Sequence, residues 1–146
     1  MRLTRYTDYA MRVLLYLGAR PEGELTAIAE ISRAYDISQN HLMKVVNDLV
    51  NGGYLESVRG RFGGVRLARP ATQINVGAVI RHTEEGFELV DCGTCVVATA
   101  CGFTGALGKA LSAFMAVLDG YTLADLIARP RDFRELFGIP EPAIAG

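Results

Sequence analysis

Three cysteines, the only ones in the chain, fall within one stretch of ten residues as Cys92, Cys95 and Cys101, in the pattern C-x₂-C-x₅-C. An odd number of cysteines crowded into a glycine-rich segment is a poor framework for disulfides. No apolar signal segment follows the first residues, so the thiols are expected to stay reduced in a cytoplasmic protein. Thiolates are metal ligands. The spacing therefore favours a metal centre.

Several roles remain open for these thiols. An iron–sulfur cluster is held by thiolates, and three of them leave one iron open to a carboxylate, a histidine, water or a small ligand. Tetrahedral zinc would need a fourth ligand. A C-x₂-C redox pair would lack its usual βαβ context, and a catalytic thiol would lack a base nearby in the sequence. Three spectator cysteines would bind nothing. The residues favour the iron–sulfur site.

Three helices are expected before this segment. The first runs from Thr4 or Thr7 to about Ala19, and apolar residues nearly encircle it, which places it at the centre of the core. The second covers roughly residues 26–35 and is capped by Thr26, and the third covers residues 38–51 and ends at a glycine pair. A short turn separates the second and third helices, which is typical of a helix-turn-helix.

A hairpin is expected next, because two short β-runs at 54–59 and 65–67 flank a glycine-rich turn. The sequence thus predicts a mainly α fold: a winged helix-turn-helix domain at 1–70 with a two-stranded wing. A linker helix and a cysteine-bearing loop follow at 71–103. A dimerisation helix and a short final helix follow at 104–128, and Thr122 with Asp125 resembles a capping box. Pro130 is expected to end this last helix, so residues 129–146 are expected to form a tail, of which the part with Pro140 and Pro142 is loosely ordered.

The long helix carries an apolar seam with coiled-coil spacing, which predicts a homodimer. Its residues are Leu107, Leu111, Phe114 and Leu118. No stretch of the chain reaches the ~20 apolar residues that a membrane span needs, so no membrane partner is expected.

The net charge of −1 conceals an asymmetry. Residues 1–70 contain ten Lys or Arg against seven Asp or Glu, a net of +3, whereas residues 71–146 contain five against nine, a net of −4. A cationic wing suits phosphates, and a polar first turn on the third helix suits base edges. Double-stranded DNA is therefore the expected partner, and a dimer would bind a palindromic operator. The candidate contacts are Ser38, Gln39, Asn40, His41 and Lys44 on the helix and Arg59 and Arg61 on the wing.

Three blocks resemble one family of bacterial proteins. They are Arg2-Leu3-Thr4-x-x-Thr7-Asp8-Tyr9-Ala10, Ile37-Ser38-x-x-His41-Leu42-x-Lys44-Val45-Val46-x-x-Leu49, and Ser57-Val58-Arg59-Gly60-x-x-Gly63-Gly64-Val65-Arg66-Leu67. With the three cysteines and the run from Asp119 to Leu126, they resemble the IscR/NsrR/RirA family of iron–sulfur winged-helix transcriptional regulators over about residues 1–128.

The resemblance is greatest to the NsrR-like, nitric-oxide-sensing repressors of that family. It implies a 4Fe-4S cluster held by Cys92, Cys95, Cys101 and Asp8 of the partner subunit, with loss of DNA affinity on nitrosylation. An IscR-like site would have a histidine three residues after the last cysteine, where this chain has Thr104. The first two cysteines are closer together than in the NsrR-like pattern, so a 2Fe-2S cluster and a different fourth ligand stay open.

Three other functions compete with this interpretation. The nearest is a regulator of the same family that senses iron or iron–sulfur status. A thiol-redox enzyme is disfavoured because no base pairs locally with the thiols and the βαβ context is missing. A purely structural dimerisation module is disfavoured by the wing arginines.

Overall fold

The structure, a computed structural model, describes residues 1–144, so the last two residues of the expected tail lie outside the described part. The described residues form seven α-helices, a 3-10 turn and one antiparallel pair of strands. In chain order these are α1 (Arg5–Gly18), α2 (Ile28–Tyr35), α3 (Gln39–Asn51), β1 (Leu55–Val58), β2 (Gly64–Leu67), the 3-10 turn (Ala71–Gln73), α4 (Val76–Thr83), α5 (Phe103–Asp119), α6 (Leu123–Leu126) and α7 (Pro130–Phe137). Within this part of the chain, no helix combines the length and apolarity that crossing a membrane requires.

Helix α1 lies at the centre of the core, as predicted. Its N-cap is Thr4, whose hydroxyl accepts a hydrogen bond from the Thr7 amide, and this satisfies one of the free amides of the first turn. Ala10, Val13 and Leu14 are fully buried in a core that α3 closes with its own apolar face.

Helix α2 begins at Ile28, two residues after the predicted cap Thr26. Thr26 instead pairs with Val65 of β2 through two backbone hydrogen bonds of 2.9 and 2.8 Å. The Thr26 carbonyl thus accepts from Val65 and not from the first turn of α2, whose N-cap is Ala27, so the prediction that Thr26 caps α2 is wrong. A Cβ atom on Gly64 would lie 2.6 Å from the Thr26 carbonyl oxygen, so glycine is required for this approach.

The helix-turn-helix and its wing match the expected architecture. A tight turn at residues 36–38 joins α2 to α3, with Asp36 in the left-handed region at φ +53°. The strands pair antiparallel from Leu55 opposite Leu67 to Val58 opposite Gly64, which leaves residues 59–63 as the wing tip. Leu55 and Val65 anchor the strands to the core.

Helices α4 and α5 pack closely where Gly77 faces Asp119, since a side chain on Gly77 would overlap the Asp119 carboxylate. Val76, Ile80 and Met115 form a second small apolar cluster between the two helices. Two residues of the predicted dimer seam, Leu111 and Leu118, pack against this cluster within the same subunit. At least two of the four seam residues are therefore covered within the subunit, so the four do not form a single exposed face of α5.

The C-terminal part is more ordered than predicted. The capping box of α6 is present, with Thr122 and Asp125 bonding each other's backbone amides. Pro130 was expected to end helical structure, but it begins α7, because proline is favourable in the first turn of a helix. Phe137 of α7 packs against Tyr16 and Tyr35, with ring centroids 4.9 and 5.2 Å away. Part of the expected tail thus covers α1 and α2.

Candidate DNA-binding surface and cysteine loop

The exposed face of α3 consists mostly of polar residues, and its opposite face is buried. Ser38, the N-cap, and the predicted contacts Gln39, Asn40, His41 and Lys44 are all exposed. The first turn contains no acidic side chain that would repel phosphates. Leu42, Val45, Val46 and Leu49 fix this orientation from the core side. A helix held this way can present side chains to the major groove.

Two further residues on this face, Met43 and Asn47, are exposed and were missed by the sequence analysis. Asn47 follows Asn40 and Lys44 by seven and three residues, so it lies on the same helical stripe. An asparagine amide can donate and accept at an adenine edge. The helical period alone could have identified Asn47.

The wing tip carries Arg59 and Arg61, both exposed. Gly60 between them has φ +110°, a conformation that side chains disfavour. The Arg61 guanidinium lies 5.5 Å from the centroid of the Phe62 ring, which is 85% exposed. The tip therefore offers two cations on a compact turn, a shape suited to phosphate contacts.

The other two arginines of the wing are held by protein groups. Arg66 donates to the Glu56 carboxylate at 2.9 Å and to the Gly23 carbonyl at 3.2 Å. Arg69 donates to the Gly53 carbonyl and lies over the Tyr54 ring, 5.1 Å from its centroid. The positive charge available to DNA is therefore concentrated at the tip.

The cysteines lie on a turn-rich segment between α4 and α5, which we call the cysteine loop (residues 85–102). All three thiols are free, with Cys95 and Cys101 exposed and Cys92 half-buried. The Cys92 sulfur lies 3.7 Å from the Thr104 hydroxyl, and the Phe103 amide donates to the Cys101 sulfur at 3.4 Å. The first and the last cysteine of the loop, Cys92 and Cys101, thus both contact the first turn of α5.

The donor chemistry of the loop fits an iron–sulfur cluster. Such clusters bind through thiolates, and amide hydrogen bonds to sulfur, like that from Phe103, tune their properties. In residues 1–144, no three histidine, cysteine or acidic side chains are gathered closely enough to hold a metal ion. Binding all three sulfurs to one group would therefore require a different conformation of the cysteine loop.

Asp8 lies in the first turn of α1, exposed to solvent. Its carboxylate pairs with Arg12 one turn along the helix at 2.8 Å. The hydrogen bond to Asp8 raises the pKa of Arg12 more than partial burial lowers it. Asp8 is predicted to contact a cluster in the partner subunit, and that role stays a prediction.

Comparison with known proteins shows the family. Residues 3–129 match the Rrf2 family, described as iron-dependent transcriptional regulators. The chain is 48% identical over 141 residues to the HTH-type transcriptional regulator NsrR of Bacillus licheniformis, covering 93% of this chain and 99% of that protein. It is 46% identical over 146 residues to NsrR of Bacillus subtilis, covering 97% and 100%.

A solved structure extends the similarity to the fold. A transcriptional regulator from Listeria innocua superposes with a TM-score of 0.76 at 26% identity, covering 88% of each chain. The winged helix-turn-helix architecture is therefore confirmed. The chain belongs to the Rrf2 family and is a DNA-binding transcriptional regulator rather than an enzyme.

Proposed function

We propose that this protein is a homodimeric repressor that senses nitric oxide through an iron–sulfur cluster held by Cys92, Cys95 and Cys101. The observation that carries the proposal is that three free thiols share one loop in a chain whose exposed α3 residues and wing tip make a candidate DNA-binding surface. The similarity to NsrR proteins over nearly the whole chain supports the same assignment.

A second copy of the chain is the proposed partner of α5. One face of this helix packs on α4, while Phe103, Phe114 and Val117 are 58, 39 and 62% exposed. Ala106, Ala110 and Ala113 lie between these residues and permit close approach of another helix. Their spacing of three and four residues is that of a helix pair, so the proposed dimer face lies beside the predicted seam and shares only Phe114 with it. Two subunits would place two copies of α3 on one palindromic operator.

Different residues of the chain serve in sensing and in DNA binding. A bound cluster supplies iron with which nitric oxide reacts. The three cysteines serve as thiolate ligands, and the Asp8 carboxylate of the partner subunit is the proposed oxygen ligand. The first turn of α3 contacts base edges, and Arg59 and Arg61 contact phosphates. The 4Fe-4S form is the proposed cluster, with 2Fe-2S as the alternative.

The test combines spectroscopy with DNA binding. Anaerobically prepared protein is examined by absorption and Mössbauer spectroscopy, and an operator is selected from random duplexes. We expect iron in the wild type, none in Cys92→Ser, and loss of operator affinity on titration with nitric oxide. Colourless, iron-free protein that binds its operator with unchanged affinity would contradict the proposal.

The description of the family as iron-dependent favours a second candidate, a sensor of iron or cluster status. The same preparation separates the two functions. Affinity that changes when iron is removed by a chelator, but not when nitric oxide is added, assigns the protein to iron sensing.

A further inference from the structure

The side chains of residues 81–84, at the end of α4, contact three other helices: α5, α3 and the start of α1. Successive helical side chains point about 100° apart, so a single turn can face several neighbours. Arg81 pairs with Asp119 at the end of α5 through contacts of 2.5 and 2.8 Å. The other three side chains face the DNA-binding unit, and the cysteine loop begins at the next residue.

Thr83 is joined to α1 by a buried pair of hydroxyls. Its oxygen lies 2.9 Å from that of Thr7, and the two residues are only 5 and 0% exposed. The Thr83 hydroxyl donates its proton to the Val79 carbonyl at 3.0 Å, so it accepts from Thr7. Water cannot replace this bond at so buried a position, so separating the two helices loses one hydrogen bond without compensation.

Glu84 holds the residue that caps α1. Its carboxylate accepts hydrogen bonds from the Thr4 amide at 2.7 Å and from the Thr4 hydroxyl at 3.0 Å. Partial burial raises the pKa of Glu84, but hydrogen bonds from threonine hydroxyls and from the Thr4 amide outweigh it and leave the pKa below its usual value. The carboxylate is therefore ionised near the positive end of the α1 dipole.

His82 reaches the recognition helix itself. Its Nε2 lies 3.1 Å from both the carboxylate and the carbonyl oxygen of Asp48 in α3. The same carboxylate accepts a hydrogen bond from Tyr6 of α1. The last turn of α4 is thus connected to α1 and α3 together.

We infer that Thr83 and Glu84, supported by His82, are positioning residues that transmit a rearrangement of the cysteine loop to α1 and α3. Phe87 is half-buried in the cluster between α4 and α5, so only residues 88–91 separate this anchor from Cys92. Gathering three sulfurs onto one group therefore moves a segment tethered to the last turn of α4. The inference deepens the proposed function and rests on it. The element that a bound ligand would shift between two positions is the last turn of α4.

The test follows α1 and α3 directly, without DNA. Amide hydrogen exchange in residues 5–10 and 42–51 is measured on the full chain with reduced thiols. It is repeated after anaerobic iron–sulfur loading and, separately, after alkylation with N-ethylmaleimide. In the wild type we expect the amide exchange rates of these residues to change by about fivefold, because that is the shift in equilibrium that one net hydrogen bond supplies.

Matched variants separate transmission from general stability. Thr83→Val keeps the shape of the side chain and should abolish the response, whereas Thr83→Ser keeps the hydroxyl and should retain it. Glu84→Gln should weaken the exchange response without abolishing it. Arg81→Gln breaks an ion pair of the same turn that faces α5, and it should respond like the wild type.

The outcomes distinguish this inference from the proposed function. A wild-type response in both Thr83→Val and Glu84→Gln overturns the inference, as does loading with iron that leaves exchange in α1 and α3 unchanged. Failure to take up iron, together with an alkylation response that depends on Thr83, supports the inference and contradicts the cluster.

Discussion

The Tyr6 hydroxyl donates a hydrogen bond of 3.0 Å to the Asp48 carboxylate, which joins the first turn of α1 to α3, the helix of the candidate DNA-binding surface. Partial burial, this hydrogen bond and the nearby negative charge raise the pKa of Tyr6 to about 12 from an ordinary value of 10.0. The contribution of the neutral phenol to stability is therefore fully present below pH 10 and is lost as the pH rises through about 12.

Removing this hydroxyl should destabilise the domain. We expect Tyr6→Phe to lower the free energy of unfolding by about 1 kcal/mol, because Asp48 loses one hydrogen-bond donor. Urea unfolding measures the loss. Tyr9→Phe is the control, since Tyr9 is also half-buried and lies on the same helix. Equal losses in the two variants would show that the contact with Asp48 contributes nothing.

Removing charge from the wing tip should weaken binding to all DNA sequences alike. Arg59→Ala is expected to reduce the slope of log affinity against log salt by about 1, because one phosphate contact is lost. Titrations at several salt concentrations measure the slope. Arg66→Ala should change the slope less, since Arg66 is already paired with Glu56. An unaltered slope in Arg59→Ala would contradict docking of the wing.

The first turn of α3 should determine sequence preference. We expect Asn40→Ala to cost about 1–3 kcal/mol at one operator position and to relax discrimination there, because an amide can read a base edge. Binding to a set of operators with single base changes identifies the position. Asn51→Ala, at the exposed far end of the same helix, should leave the preferences unchanged.

The lowered pKa of Glu84 predicts a pH-dependent contribution to stability. Because its folded pKa lies below the ordinary 4.5, this contribution is present above pH 4.5 and is lost as the pH falls through the folded value. The difference in melting temperature between wild type and Glu84→Gln should therefore shrink under acid conditions. The exposed neighbour Glu85, replaced by glutamine, is the control. A difference that stays constant down to the acid transition would contradict the prediction.

Asp8 should matter to the cluster more than to the fold. Its ion pair with Arg12 is exposed, and such pairs contribute about 0–1 kcal/mol. Asp8→Ala is therefore expected to leave the melting temperature nearly unchanged while it alters the absorption spectrum of the loaded protein. Arg12→Gln breaks the same ion pair and should leave the spectrum intact. Identical spectra in the wild type and both variants would exclude Asp8 as a ligand.

The sequence by itself determined the features that neighbouring residues encode. The apolar period of α1, the glycines of the wing and the Thr122–Asp125 capping box are local patterns, and the structure reproduces each of them. The exposure of the polar residues Gln39, Asn40, His41 and Lys44 also follows from the local pattern, because burial of Leu42 and Val45 turns the opposite face of the helix to solvent. The family resemblance rests on the same contiguous blocks.

Only the tertiary structure decided what depends on contacts between distant residues. Thr26 is a good helix cap by type, but its backbone bonds to Val65, and the N-cap of α2 is Ala27. Pro130 begins a helix because Phe137 has Tyr16 and Tyr35 to pack against, and Leu111 faces inward because α4 lies beside it. The partners of Thr83 and Glu84 are nearly eighty residues away, and no local pattern encodes a contact that exists only once both helices have packed.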